Sequence, residues 1–217
     1  MLDDFLLLAG VKSIEEARLL PSDKLITANS IQVAKSRFGG FTYGPVVDGI
    51  FAPELPGVLL AQGRFDKSLR IMVGHNGDEG LLFVDPLVVT EADIQTFLRQ
   101  VLVNADPSVL NYITNVLYPP VFDGSHGYTD QISRSALLTS ELIFTCNTYY
   151  LDRAYNFTDY SYFFTVPPAL HGQDIAYTYY NGGGVNAATS LTNVTVAIAL
   201  QVRLQSSFNG FQSRPLR

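Results

Sequence analysis

Two side chains of this sequence are placed to share acid–base chemistry. Glu79 stands in Asn76-Gly77-Asp78-Glu79-Gly80, a loop that follows the apolar, β-branched run Leu69-Arg70-Ile71-Met72-Val73. His171 stands in His171-Gly172-Gln173-Asp174, after Tyr162-Phe163-Phe164-Thr165-Val166. A carboxylate past one strand and an imidazole past a later one follow the acid-then-base chain order of a Ser–acid–His triad of the nucleophile-elbow type. The elbow itself, Gly-x-Ser-x-Gly between a strand and a helix, does not occur. Ser125, in Asp123-Gly124-Ser125-His126-Gly127, lacks the glycine two positions before it.

Each of these residues also has a plainer reading. Glu79 could be a solvated loop carboxylate, and a lone histidine such as His171 is often a core residue with satisfied hydrogen bonds. The glycine-bracketed turn and the chain order favour the acid and base roles. Asp78 and Asp174 read as structural supports, buried carboxylates that tie the loops through backbone N–H groups. His75 and Glu79 are four apart, which on a helix would suggest metal ligands. Gly77 and Gly80 make the segment a loop, so no metal is expected. His126 reads as a surface-loop residue and Cys146 as a small buried hydrophobe. Tyr177, Tyr179 and Tyr180 read as packing, with one free to line an acyl or alcohol pocket.

The elements that must carry the two loops follow from punctuation and period. Ser13-Ile14-Glu15-Glu16 is a capping box opening a short helix that ends before Pro21, and a second helix runs from Ser22 to about Ser36. The stretch 38–49 holds too many glycines for a helix. Thr90-Glu91-Ala92-Asp93 caps an amphipathic helix with Ile94, Phe97, Leu98, Val101 and Leu102 on one face. Asp106-Pro107 opens another, with Val109, Tyr112, Ile113 and Val116 inward, ended by Pro119-Pro120. A third spans 133–150. The glycine run 182–184 is a loop, and a last helix spans 191–208 with Val194, Ala197, Ile198 and Val202 inward. Strands at 69–73 and 160–166 with helices between them predict an α/β fold with a parallel sheet. Two strands cannot build such a core, so the sheet is expected to be incomplete.

Composition narrows the function. The chain has 217 residues, 47% apolar and 16% charged, with 12 Tyr, 14 Phe and a mean hydropathy of +0.15. That balance predicts a packed core with faces covered by something else. A net charge of −6 with scattered Lys and Arg excludes a nucleic-acid partner. Gly, Pro or charge breaks every apolar run short of the ~18 residues a membrane span needs. Cys146 is the single cysteine, so no internal disulfide forms. The acidic start Met1-Leu2-Asp3-Asp4-Phe5 is unlike a signal peptide. Asn156-Phe157-Thr158 and Asn193-Val194-Thr195 are glycosylation sequons that point toward export.

Together these motifs resemble one family. Gly44-Pro45-Val46-Val47-Asp48-Gly49, then Pro53, Pro56 and 59–63, then Val73-Gly74-His75-Asn76-Gly77-Asp78-Glu79-Gly80 with Phe83, are similar to the type-B carboxylesterase/lipase family, the cholinesterase-like α/β hydrolases. Ser140-Glu141-Leu142-Ile143-Phe144-Thr145-Cys146 and His171-Gly172-Gln173-Asp174-Ile175 extend the resemblance, which runs from about residue 5 to 205. It implies that residues 1–217 are the C-terminal portion of a single α/β-hydrolase domain. It also implies that Glu79 is the triad acid and His171 the general base of a carboxylic-ester hydrolase acting on small-molecule esters without a cofactor. The nucleophile and the glycine-rich oxyanion loop would belong to a missing N-terminal half, so the chain alone is expected to be inactive. Met1 and the divergent tail 208–217 suggest a truncated gene model or a fragment. The family and the two sequons imply a secreted, extracellular protein. The alternative is a non-catalytic adhesion or interaction module, which would have no reason to keep both Glu79 and His171.

Overall fold

A computed structural model describes residues 1–40, 42–158, 160–180, 182 and 192–212. Met1–Leu55 and Pro56–Arg217 form two compact units. In the first, helix α1 (Leu2–Ala9) precedes α2 (Ile14–Ala17) and α3 (Ser22–Ala34). α1 was not legible as a helix from its apolar run, yet its ends are well made. Asp3 and Asp4 sit in the first turn against the helix dipole, and Gly10, at φ 75°, donates its N–H to Leu6 O and Leu7 O. Ser13 caps α2 as predicted, its Oγ accepting from Glu16 N at 3.1 Å. The reciprocal bond goes one residue further back, from Lys12 N to Glu16 Oε2.

The second unit carries the sheet. Its elements are α4 (Pro56–Ala61), β1 (Met72–Asn76), a 3-10 turn (Gly80–Phe83), α5 (Glu91–Val101), α6 (Pro107–Tyr112) and a π turn (Ile113–Leu117). α7 (Gln131–Ser140), a second π turn (Glu141–Thr145), α8 (Cys146–Ala154), β2 (Tyr160–Phe164), α9 (Ile175–Thr178) and α10 (Val194–Gln212) follow. β1 and β2 pair in parallel, from Met72 opposite Tyr160 to Asn76 opposite Phe164. The helices between them form the long crossover that parallel strands require.

β1 starts three residues later than the apolar run suggests, and His75 is therefore a strand residue, not a loop residue. The Tyr162 ring covers Gly74 so closely that a Cβ there would lie 2.3 Å from it. Only a glycine fits at that rung.

Between the strands, Ile94, Leu98, Leu110 and Leu138 form an apolar core from α5, α6 and α7, with Phe97, Leu102, Ile113 and Leu142 against it. The α5 face is as the sequence predicts. The α6 face is not: Leu110 and Thr114 are buried, whereas Val109, Tyr112 and Val116 are exposed. The helix expected over 133–150 is split by the π turn and runs on to Ala154. A turn of that kind inserts a residue and shifts the helical period, which a 3.6-residue template cannot register. In α10, Ala197 is buried, but Val194, Ile198 and Val202 are exposed. Residues 183, 184 and 191 of the predicted glycine loop and helix start lie outside the described residues. Among the described residues no helix is long and apolar enough to cross a membrane.

Candidate active site

The sheet ladder does not stop at the strand ends. Gly77 N donates to Phe164 O and Asp78 N to Ala169 O, both at 2.9 Å, and Asp78 bridges to Leu170 in parallel. The loop after β1 and the loop after β2 are thus stitched together along the C-terminal edge of the sheet. Glu79 and His171 each follow the stitch by one residue.

The two side chains meet there. Glu79 Oε2 lies 2.6 Å from His171 Nδ1, and Glu79 Oε1 accepts from Asn76 N at 2.6 Å. This contact fits the tautomer in which Nδ1–H donates to the carboxylate and the lone pair is left on Nε2. The glutamate side chain is 5% exposed and the imidazole 44% exposed. One member is locked in the protein and the other is turned outward. Nε2 makes no hydrogen bond among the described residues. The rings of Phe83 and Phe144 flank the imidazole, at 4.9 and 5.0 Å between centroids.

Gly80 explains how the acid is held so close to the helices. A Cβ on it would fall 2.0 Å from Ala136 O, and its N–H donates to Ser140 Oγ at 2.7 Å. The glycine of the Asp-Glu-Gly turn is therefore required by the close approach of α7, not by its φ. Phe144 lies on the π turn just after α7, so the same helix that pins Gly80 leads to one of the rings beside His171.

Asp174 is a support, but through side chains where backbone donors were expected. Its two oxygens accept from Asn76 Nδ2 at 3.1 Å and Tyr162 Oη at 2.7 Å, joining the His171 loop to the end of β1 and the middle of β2. Burial and the Asp174 charge push the Tyr162 hydroxyl well above the ordinary tyrosine range, which keeps it a donor. Asp78 is half-buried, and that desolvation raises its pKa against the opposing effect of the Leu81 N–H.

The other candidates lie apart from this pair in role. Ser125 Oγ is exposed and donates to Asp123 Oδ1 at 2.6 Å, so its hydroxyl is held by an acid. His126 stacks on Tyr128. His75 Nδ1 is buried without a partner and its ring lies 5.0 Å from Phe163. Tyr177 packs on Phe164 and its hydroxyl accepts from Asn193 N. Cys146 is half-buried, with burial raising its thiol pKa. Asn156 and Asn193 are both exposed; Asn156 sits in a left-handed turn and Asn193 Oδ1 accepts from Val196 N. Among the described residues, no group of three or more His, Cys, Asp or Glu side chains could hold a metal ion.

No protein-family model matches the chain. Individual proteins do. Over 201 residues, 93% of its length, the chain is 39% identical to the carboxylesterase patB of Penicillium expansum, covering 35% of that protein. It is 37% identical over the same share of its length to the carboxylesterase patB of Aspergillus clavatus, covering 36% of it. These likenesses are consistent with a type-B carboxylesterase-like protein. A solved PNB esterase structure superposes with a TM-score of 0.63 at 18% identity, over 91% of this chain and 42% of that one. The two parallel strands and their crossover are thus part of an α/β-hydrolase fold. The chain spans about a third of the length of the curated relatives it matches.

Proposed function

We propose that these residues are the C-terminal portion of one α/β-hydrolase domain and supply the acid and base of a carboxylic-ester hydrolase. One observation carries the reading: the 2.6 Å Glu79–His171 contact through Nδ1 at the sheet's C-terminal edge, with the imidazole side chain exposed. A serine from residues outside this sequence attacks the ester carbonyl, and His171 Nε2 takes the hydroxyl proton. His171 then returns the proton to the departing alcohol, leaving an acyl-enzyme. In the second half-reaction His171 activates a water that releases the carboxylic acid. Glu79 stays ionised throughout; it fixes the tautomer and stabilises the imidazolium through Nδ1–H. Asp174 and Asp78 hold the two loops in register, and no cofactor takes part.

The nucleophile and oxyanion donors supply most of the rate in such a site. The chain alone therefore has no turnover on short acyl esters. A chimera in which it replaces the aligned segment of the Penicillium carboxylesterase regains hydrolysis. In that chimera Glu79→Gln lowers kcat on the order of 10⁴-fold, through loss of the correct tautomer. His171→Ala lowers it at least as much. An active chimera indifferent to both changes would refute the assignment. The exposure of Asn156 and Asn193 supports secretion and N-glycosylation as part of the same reading. A mass shift on enzymatic deglycosylation of the chain made in a fungal host checks that.

A further inference from the structure

The opposite edge of the sheet holds a cavity that the hydrolytic reading does not use. It has a volume of about 640 Å³ and is lined by Leu60, Phe65, Lys67, Tyr150, Arg153 and Asn156 among others. Phe65 and Lys67 precede β1, and Arg153 and Asn156 precede β2, so the cavity lies by the N-terminal ends of the strands. The catalytic pair follows their C-terminal ends. Five-residue strands at roughly 3.3 Å per residue put about 16 Å of sheet between the two places.

The walls of the cavity are fixed to each other. Tyr155 donates its hydroxyl to Asp66 O at 2.7 Å, and its ring lies 5.0 Å from that of Phe65. The segment before β1 is thereby tied to the end of α8. Lys67 folds back over this wall, with Nζ 5.7 Å from the Phe65 ring centroid. A Cβ built on Gly63 would lie 3.1 Å from Nζ, so the bare glycine makes room for the ammonium.

The charge of the cavity runs against that of the protein. The chain carries −6 overall, yet among the described residues this cavity is lined by two cations and no carboxylate. Among the described residues neither Lys67 nor Arg153 is in an ion pair. Asp66 and Asp152, the acids adjacent in sequence to Lys67 and Arg153, are not among the lining residues, and Asp66 is engaged locally, accepting from Ser68 N at 2.9 Å and Ser68 Oγ at 2.6 Å. Beside the cations are apolar walls from Leu60, Ala61 and Phe65, and the volume falls in the range of small-molecule sites.

We propose that this cavity binds a small carboxylate with an apolar body, the anion between Lys67 and Arg153 and the body against Leu60 and Phe65. Such a ligand is of the same chemical class as the acid that ester hydrolysis releases, bound at a second place.

Calorimetric titration of the 217-residue chain with benzoate tests this, using protein from a bacterial host so that Asn156 carries no glycan. Benzoate binds saturably, and Lys67→Ala and Arg153→Ala each weaken it about tenfold, as expected for loss of one charged hydrogen bond. Both residues are exposed, so an unchanged thermal midpoint shows that the variants still fold. Benzyl alcohol, which lacks the charge, and inorganic phosphate, which lacks the body, bind more weakly. His171→Ala leaves benzoate binding unchanged, which separates this site from the hydrolytic one. No saturable binding, binding indifferent to both cation variants, phosphate as tight as benzoate, or loss with His171→Ala would each overturn the proposal.

Discussion

Two regions of the same unit are held together by different forces. The helical crossover is built on Ile94, Leu98, Leu110 and Leu138, whose contacts are apolar and carry no direction. The edge that bears Glu79 and His171 is built on bonds that do have direction. Gly77 and Asp78 donate across to the neighbouring loop, Asp174 bridges both strands, and Glu79 uses one oxygen on Asn76 and the other on His171. Apolar packing tolerates small shifts of a side chain, whereas a 2.6 Å hydrogen bond does not. The crossover supplies stability, and the sheet edge supplies geometry.

Arg134 is the point at which that division is most easily broken, since it is a buried polar hub inside the apolar region. Its side chain is fully buried, with Nε donating to Tyr118 O, one terminal nitrogen to Thr114 O and the other to Glu91 and Gln131. Arg134→Ala strands those acceptors and leaves Glu91 unpaired, so urea denaturation should show a loss of about 3–5 kcal/mol. Leu98→Ala should cost roughly 3 kcal/mol by the same measurement, from lost burial and the cavity left behind. Neither change touches the Glu79–His171 pair, and the His171 ring resonances of the folded protein should stay where they are.

On the other side of the comparison, Gly80→Ala drives a methyl into Ala136 O and should cost on the order of 2 kcal/mol. Unlike Leu98→Ala, it also moves the His171 resonances, because it displaces the turn that carries Glu79. Tyr162→Phe removes one donor to Asp174 and should cost about 1 kcal/mol. The smallest effect concerns Asp78. Its folded pKa lies above its unfolded one, so the fold favours the protonated form. That contribution is present below the unfolded pKa and is lost as pH rises through the folded value. Stability should fall over that window, and Asp78→Asn should flatten this part of the profile in urea titrations at successive pH values.

What the sequence revealed divides along the same line. Local punctuation was legible: the Thr90–Asp93 capping box forms as read, and the glycine-bracketed loops lie where strands deliver them. Glu79 and His171 could be named because chain order and loop chemistry are sequence properties. What depends on a partner was not legible. β1 begins at Met72, where it pairs with Tyr160, and no property of residues 69–71 announces it. Phe144 reaches His171 from a π turn whose inserted residue is invisible to a helical template. Asp174 was expected to bind backbone and instead found Asn76, 98 residues away, and Tyr162, on the strand that precedes its loop.

The central claim is that Glu79 fixes the tautomer of His171, and the ring nitrogens of His171 report on it directly. Nitrogen-15 and proton NMR of the 217-residue chain, with the His171 ring assigned, reads which nitrogen carries the proton in the neutral form. The account predicts a proton on Nδ1, with a downfield resonance that Glu79→Ala abolishes, and an unprotonated Nε2. A neutral ring protonated at Nε2, or an Nδ1 proton indifferent to Glu79→Ala, would contradict it.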